Sequence, residues 1–324
     1  MKRGTENHES QELGHTFEYI ANEWLAQKKS AVKSSTYIKY RNLLSNIILP
    51  EFGSLRANEF SAFRFEQGLI IISQKNEVQY SKSTMKSILY LIRAIIKYGT
   101  RHSYNLNLDI VFEFRDSEER ECEVLTPCEE KQILHELTRI VNKNNLGILL
   151  SLTTGMRIGE ICALKREHID FERKIIHICE TAQRLQMETG TRLMSNPPKS
   201  KKSKRYVPLP YIVLDYMKEM NVPDIKPENY VLTGSFIPYE PRTLQYAFKA
   251  VLKKCKLEDR NFHSLRHTFA TNCVELGFDI KTLSELLGHS SVNFTLNKYV
   301  HSSLSQKKKQ MGLLDKKYQT LFVE

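Results

Sequence analysis

Residues 262–301 read FHSLRHTFATNCVELGFDIKTLSELLGHSSVNFTLNKYVH, and they hold the side chains with the most chemical promise. His263 and Arg266 stand three apart, which places both on one face of a helix. His289 and Tyr299 follow, and Arg157 lies far upstream in TTGMRIGE. Two arginines, imidazoles and a tyrosine suit one task, holding a phosphodiester while a phenol attacks it. Such a bond resists cleavage because the attacking oxygen meets negative charge and the departing alkoxide leaves poorly. Arginine answers the first problem, since its planar fork binds two oxygens at once and stays charged. Arg157 and Arg266 are the candidates. A tyrosine with a pKa of about 10 is ionised to roughly one part in a thousand at neutral pH, so Tyr299 needs a base or a strongly positive pocket. His263 is the expected proton acceptor. Lys199, in PPKSKKSKRYVPL, can protonate the leaving oxygen, and His289 can donate to a phosphate oxygen. Glu160, three residues after Arg157, can hold neighbouring cations in place.

Taken singly, each of these residues has a plainer reading. Arg157 and Glu160 are a salt bridge at helical spacing, Lys199 belongs to a solvated basic loop, His289 caps a helix end and Tyr299 packs in a core. Their occurrence together and in one order is what favours chemistry. Other chemistries fit poorly, because the chain has no GxxxxGK[ST] loop, no GxGxxG after a strand and no HExxH. A metal site from His263, His267 and His289 is disfavoured by the Arg266 cation beside His267, so neither metal nor other cofactor is expected. Cys122, Cys128, Cys162, Cys179, Cys255 and Cys273 form no CxxC pair and read as reduced, partly buried thiols.

The elements that must position these residues fall into two groups. The chain has 324 residues, enough for two ordinary domains. Its 48 Lys+Arg against 37 Asp+Glu leave a surplus of +11, which favours a polyanionic partner. No apolar run is long enough to span a membrane, and the polar first residues lack the apolar core of a signal peptide, so a cytoplasmic location is expected. Residues 1–12 read as a disordered tail, and residues 13–105 as an all-α domain. Its first helix carries Phe17, Ile20, Ala21, Trp24 and Leu25 as one stripe. A second starts at a Ser34-Ser35-Thr36 cap and stops at Pro50 and Gly53. A third includes 60–73, and a fourth runs over 81–98 with Met85, Ile88, Leu89, Ile92, Ile95 and Ile96 inward. Lys33, Lys39, Arg41, Lys82, Lys86 and Arg93 lie on outer faces, where they can contact phosphate oxygens or simply face water.

Residues 106–123 turn acidic and aperiodic and read as the linker. Residues 124–324 form the second domain, opened by Thr126-Pro127-Cys128-Glu129 as a capped helix start. There the pattern predicts a helix over 146–153 broken at Thr154-Gly155, and another carrying Arg157, Ile158, Ile161 and Leu164. A strand is expected at 174–180 with its return at Tyr206-Val207, then helices over 209–219, 243–255, 265–276, 280–287 and 292–299. The basic run of Lys201, Lys202, Lys204 and Arg205 is a second candidate for contact with a polyanion. The expected fold class is mainly α with a small β-sheet.

The strings TTGMRIGEICAL, PPKSKKSKRYVPL, FHSLRHTFAT and LGHSSVNFTLNKYVH resemble, in order, the motifs of the tyrosine recombinase (phage integrase) family. The resemblance implies that Arg157, Lys199, His263, Arg266 and His289 activate a DNA phosphate and that Tyr299 is the nucleophile; Tyr318 lacks such a context. It implies a helical core-binding domain and a mixed catalytic domain clamping double-stranded DNA as a C shape. It implies four subunits acting on two recombination sites through a 3′-phosphotyrosine and a Holliday junction, without ATP or metal. Docking of the apolar tail (Leu313, Leu314, Leu321, Phe322) on a neighbouring subunit is expected from it, as are accessory DNA-bending or excision proteins. The stretch TAQRLQMETGTRLMSN looks more like a mobile-element integrase than a housekeeping resolvase, with a chromosome-dimer resolvase or invertase subtype as an alternative. The alternatives are a non-cleaving DNA-binding regulator on the same fold and, more distantly, a relaxing topoisomerase.

Overall fold

The computed structural model describes residues 15–74, 80–102, 108–113, 124–186, 190–197, 203–289, 291–299, 308, 311–312 and 314–319. The tail expected over residues 1–12 lies outside them. The chain divides into two compact units, Met1–Arg120 and Glu121–Glu324. Helices dominate both, with a small antiparallel sheet in the second.

In the first unit, α1 (Phe17–Ala31) starts at Thr16, whose hydroxyl accepts from the Tyr19 amide at 3.3 Å. Its apolar stripe turns inward, and Phe17 sits among the rings of Phe52, Phe60 and Phe65. The cap expected from Ser34 to Thr36 does not form, because α2 (Ser34–Leu43) starts one residue after Lys33, whose side chain makes no cap bond. Of the expected stop at Pro50 and Gly53, the helix runs past Pro50 and ends at Gly53. A π turn, Leu44–Ile48, widens the helix there, and α3 (Leu49–Phe52) continues with Pro50 in its first turn. Proline there lacks only an amide that a helix start leaves unpaired anyway, and the wider turn relieves its ring. Helices α4 (Ala62–Gln74) and α5 (Lys82–Arg101) complete the unit, α5 burying all six inward residues that its spacing predicts.

Part of the stretch read as a linker belongs to this core. Ile110 is buried, Leu108 and Phe112 pack beside it, and the Ile110 carbonyl accepts from Arg93 Nε (2.9 Å) and Nη2 (2.5 Å). Leu108, Ile110 and Phe112 alternate with polar or exposed residues, a period-two pattern that the acidic composition obscured.

The second unit is built around α7 (Lys143–Thr154), whose residues Leu146 to Leu152 are buried on every side. Around it pack α6 (Pro127–Arg139), α8 (Ile158–Cys162), α9 (Tyr211–Glu219), α10 (Pro241–Lys254) and α11 (His263–Glu275). Thr126 and Glu129 form the capping box that opens α6. The same segment fastens α11, since Thr268 accepts from the Leu125 amide at 2.9 Å and Asn272 donates to Glu130 at 2.9 Å. The sheet orders β1 (Ile169–Asp170), β2 (Ile175–Ile178) and β5 (Arg205–Pro208), with Ile176 opposite Val207 and Ile178 opposite Arg205. The stretch TAQRLQMETGTRLMSN, left without structure by the sequence pattern, forms a hairpin of β3 (Thr181–Gln186) and β4 (Thr191–Asn196). Helices α12 (Ile280–Leu287) and α13 (Val292–Tyr299) follow with the bounds the spacing predicts. Cys162 and Cys273 are buried thiols, whereas Cys128 is exposed. Among the described residues, no helix is long and apolar enough to cross a membrane.

Candidate active site

Two left-handed glycines frame the site. Gly155 (φ +66°) ends α7 and Gly288 (φ +63°) ends α12, a backbone conformation that L side chains adopt only with strain. At the end of α12 the Gly288 amide donates to the Glu285 carbonyl and the His289 amide to the Ser284 carbonyl, the paired bonds of a Schellman turn. The next three carbonyls go to three different arginines. Leu286 accepts from Arg205 Nε at 2.5 Å, Leu287 from Arg266 Nη2 at 2.6 Å and Gly288 from Arg157 Nη2 at 3.2 Å. Arg266 also donates through Nη1 to the carbonyl of Gly155 at 2.5 Å. A helix C-terminus presents unpaired carbonyls and the negative end of its dipole, so it is a natural seat for cations.

Glu160 joins two of these arginines. It closes a capping box on Arg157, the N-cap of α8, accepting from the Arg157 amide at 2.9 Å and from Nη1 at 2.8 Å. Arg205 grips the same carboxylate through both terminal nitrogens, at 3.0 and 2.8 Å. Burial pushes the Glu160 carboxyl up, but Arg205 and then Arg157 more than offset this and hold it at about 2. Arg266 is 1% exposed; its burial, reinforced by repulsion from Arg157, brings its guanidinium down to about 9. It therefore remains charged at neutral pH.

Tyr299 closes the site. It is buried on Ala270, Cys273, Leu283 and Leu287, and its hydroxyl lies 2.7 Å from Nδ1 of His267. His289 stacks parallel to the Tyr299 ring at 6.4 Å between centroids, and its Nδ1 lies 2.7 Å from the Thr295 hydroxyl. His263 is exposed at the first residue of α11 and meets the His267 ring edge-on at 4.5 Å. His263, the expected proton acceptor, meets the edge of the His267 ring, and it is Nδ1 of His267 that lies at the hydroxyl. Residues 264–268 are buried all around α11, and a histidine in such a segment must find a polar partner.

The structure brings Arg157, Glu160, Arg266, His289 and Tyr299 to the ends of α7 and α12. Lys199, Lys201 and Lys202 lie outside the described residues. Lys204 is exposed and lines, with Tyr206, Lys281 and His289, an open cavity of about 590 Å³. Arg205 is not a surface contact, as its place in the basic run suggested. Alternation along β5 turns it inward, to 8% exposure, onto Glu160. In the first unit Lys33, Lys39 and Lys86 are exposed and Arg41 and Lys82 half-buried, with Lys39 Nζ donating to the Ser87 hydroxyl at 3.0 Å. Arg93 is exposed, as its outward reading expected, and donates from Nε and Nη2 to the Ile110 carbonyl. No group of three or more His, Cys, Asp or Glu suited to a metal occurs among the described residues.

The phage integrase family profile matches residues 123–306, and that of its N-terminal SAM-like domain matches residues 16–61. The chain is 27% identical over 305 residues to a tyrosine recombinase XerC-like protein of Caldanaerobacter subterraneus subsp. tengcongensis, covering 85% of this chain and 76% of that one. It is 29% identical over 213 residues to the transposase of transposon Tn916 from Enterococcus faecalis, covering 60% of this chain and about half (52%) of that protein. Among solved structures, the Tn1549 transposon integrase in complex with transposon right end DNA superposes with a TM-score of 0.74 at 20% identity, covering 93% of this chain and 100% of that one. The XerH site-specific recombinase bound to difH substrate gives 0.61 at 17% identity, covering 97% and 99%. At these identities the superpositions speak for the fold.

Proposed function

The chain belongs to the phage integrase family, whose tyrosine recombinases break and rejoin DNA strands, and we propose that it integrates or excises a mobile element with Tyr299 as its nucleophile. The observation that carries the residue assignment is the convergence on α12: three arginines held by its last carbonyls, beside a buried tyrosine whose hydroxyl already touches an imidazole. Arg157 and Arg266 take the non-bridging oxygens of the scissile phosphate, with His289 donating to one of them. The Tyr299 oxygen bonds to phosphorus as its proton passes to an imidazole of α11, the bond from phosphorus to the 5′ oxygen breaks, and that oxygen takes a proton from Lys199 or from a histidine other than the acceptor. A 5′-hydroxyl of the partner duplex later reverses the step on the 3′-phosphotyrosine. Bond energy is conserved throughout, so no nucleotide is consumed.

Relatives named as recombinase and transposase favour this reading over a non-cleaving regulator. The mobile-element reading rests on the Tn916 likeness and on the β3–β4 hairpin in the stretch that suggested it. Four copies on two DNA sites, tail-mediated contacts, accessory DNA-bending or excision proteins and action in the cytoplasm complete the proposal. Lys33, Lys39, Arg41, Lys82, Lys86 and Lys204 are its proposed phosphate contacts.

The decisive experiment presents DNA flanking the gene as a nicked duplex that traps a covalent intermediate. Wild type should give an adduct on a denaturing gel and Tyr299→Phe none. An adduct that survives the substitution would give the role to another tyrosine. Tight binding without any adduct would favour the non-cleaving regulator.

A further inference from the structure

The reaction needs a group that removes the phenol proton, and α11 carries two histidines, one turn apart. His263 is exposed and meets the edge of its neighbour's ring. His267 is buried with Nδ1 2.7 Å from the Tyr299 oxygen, inside the range over which a positioned base takes a proton. Arg266, the residue before it, points its fork at the carbonyls of Gly155 and Leu287. Thus one turn of α11 holds an anion-binding arginine and an imidazole that faces the nucleophile. Taking the proposed role of Tyr299 as given, we infer that His267 is a catalytic residue, which orients the Tyr299 hydroxyl and accepts its proton during attack on phosphorus.

In this step the O–H bond of Tyr299 breaks as an N–H bond forms at Nδ1 of His267, which becomes an imidazolium. The phenolic oxygen bonds to phosphorus, and the bond to the 5′ oxygen breaks with a proton from a separate donor. When the strands rejoin, His267 returns its proton to the departing phenol. The proton-accepting tautomer carries its ring hydrogen on Nε2, so that Nδ1 presents a lone pair to the hydroxyl. Around the imidazole stand His263 at its edge, Arg266 before it in the chain and Tyr299 itself.

The test compares wild type with His267→Asn and His267→Gln in single-turnover cleavage of the nicked duplex. Asparagine keeps a polar group close to the position of Nδ1 but cannot carry off a proton. Cleavage should fall by about 10²-fold or more, while binding to the same duplex stays within about threefold. Sulfur in place of the 5′ leaving oxygen should not restore the rate, because that atom leaves without needing a proton and the defect lies at the nucleophile. Fluorotyrosine at position 299, which ionises more readily, should restore it. Variants that cleave like wild type, or that the sulfur substrate rescues, would overturn the inference while leaving Tyr299 in place. A wild type with no adduct, or an adduct surviving Tyr299→Phe, would remove the reading it rests on and the inference with it. A reading independent of folding in the His267 variants comes from Tyr299→Phe, where the nitrogen resonance of His267 Nδ1 should move; an unchanged resonance would overturn the contact.

Discussion

Both oxygens of Glu160 are held by the guanidinium of Arg205, at 3.0 and 2.8 Å, in a pair whose side chains are 3% and 6% exposed. Withdrawing two charges from water is costly, and breaking such a pair strands the survivor in a place that cannot solvate it. Glu160→Gln and Arg205→Met should each destabilise the second unit by about 3–5 kcal/mol, measured by urea denaturation. A loss of under about 1 kcal/mol would mean that water reaches the pair after all.

The same carboxylate sets an acid limit. Glu160 titrates at about 2 in the folded chain against 4.5 ordinarily, and Glu129, bonded to Arg260, also at about 2. A depressed carboxylate contributes stability that is complete above its ordinary value and lost as pH falls through the folded one. Thermal stability of the second unit should therefore drop between pH 4.5 and about 2, and the drop should be shallower in Glu160→Gln.

Three guanidinium groups (Arg157, Arg205, Arg266) gather at the end of α12 with one carboxylate, Glu160, which binds the first two, so three minus one leaves two positive charges there. Sulfate or phosphate should raise the melting temperature above what chloride gives at equal ionic strength. At ten times its dissociation constant the gain is about 1.4 kcal/mol, or roughly 3–6 °C for a unit of this size. Arg157→Ala should abolish the anion-specific part, as followed by calorimetry. An equal response in that variant would place the anion elsewhere.

Glycines at positive φ differ in what surrounds them. A Cβ on Gly155 would meet Phe269 Cδ1 at 2.5 Å and Leu287 Cδ2 at 2.9 Å, whereas Gly277, at φ +87°, has nothing within 4 Å. Gly277→Ala should cost only backbone strain, about 1–2 kcal/mol. Gly155→Ala should cost clearly more and also slow cleavage, since the Gly155 carbonyl seats Arg266. Equal losses of stability would show that Phe269 moves aside freely.

Arg93 is bound to the chain's own backbone. Arg93→Ala should destabilise the first unit by about 1 kcal/mol, from lost charge-assisted bonds at a partly exposed site. The salt dependence of DNA binding should keep its slope. A slope reduced by about one would show that Arg93 reaches a phosphate in the complex.

Much of this arrangement was legible because it is local. The six inward residues of α5, the Thr126–Glu129 box and the bounds of α12 and α13 follow from spacing and capping over a few residues. What escaped depended on partners far along the chain. Arg205 looked like one more cation in a lysine run, because four residues of β5 are too few to show which face an arginine occupies. His267 gained its meaning from Tyr299, 32 residues on. The β3–β4 hairpin carries polar residues on both faces, so alternation gave no signal, and Pro50 was read as a stop because a π turn leaves no mark in composition.

The arginines that end on successive carbonyls of α12 have one more implication. A helix advances about 1.5 Å per residue, a step set by its backbone hydrogen bonds up to Leu287, and the Schellman turn fixes the place of the Gly288 carbonyl after it. The calibre of the anion seat is thus ruled off along a peptide backbone instead of being set by the shapes of neighbouring side chains. Ile133→Ala, in the core under α6, should cost about 2–5 kcal/mol yet leave the cleavage rate of the folded fraction unchanged. A core that can erode without altering the gauge lets the surrounding sequence drift while the seat keeps its dimensions.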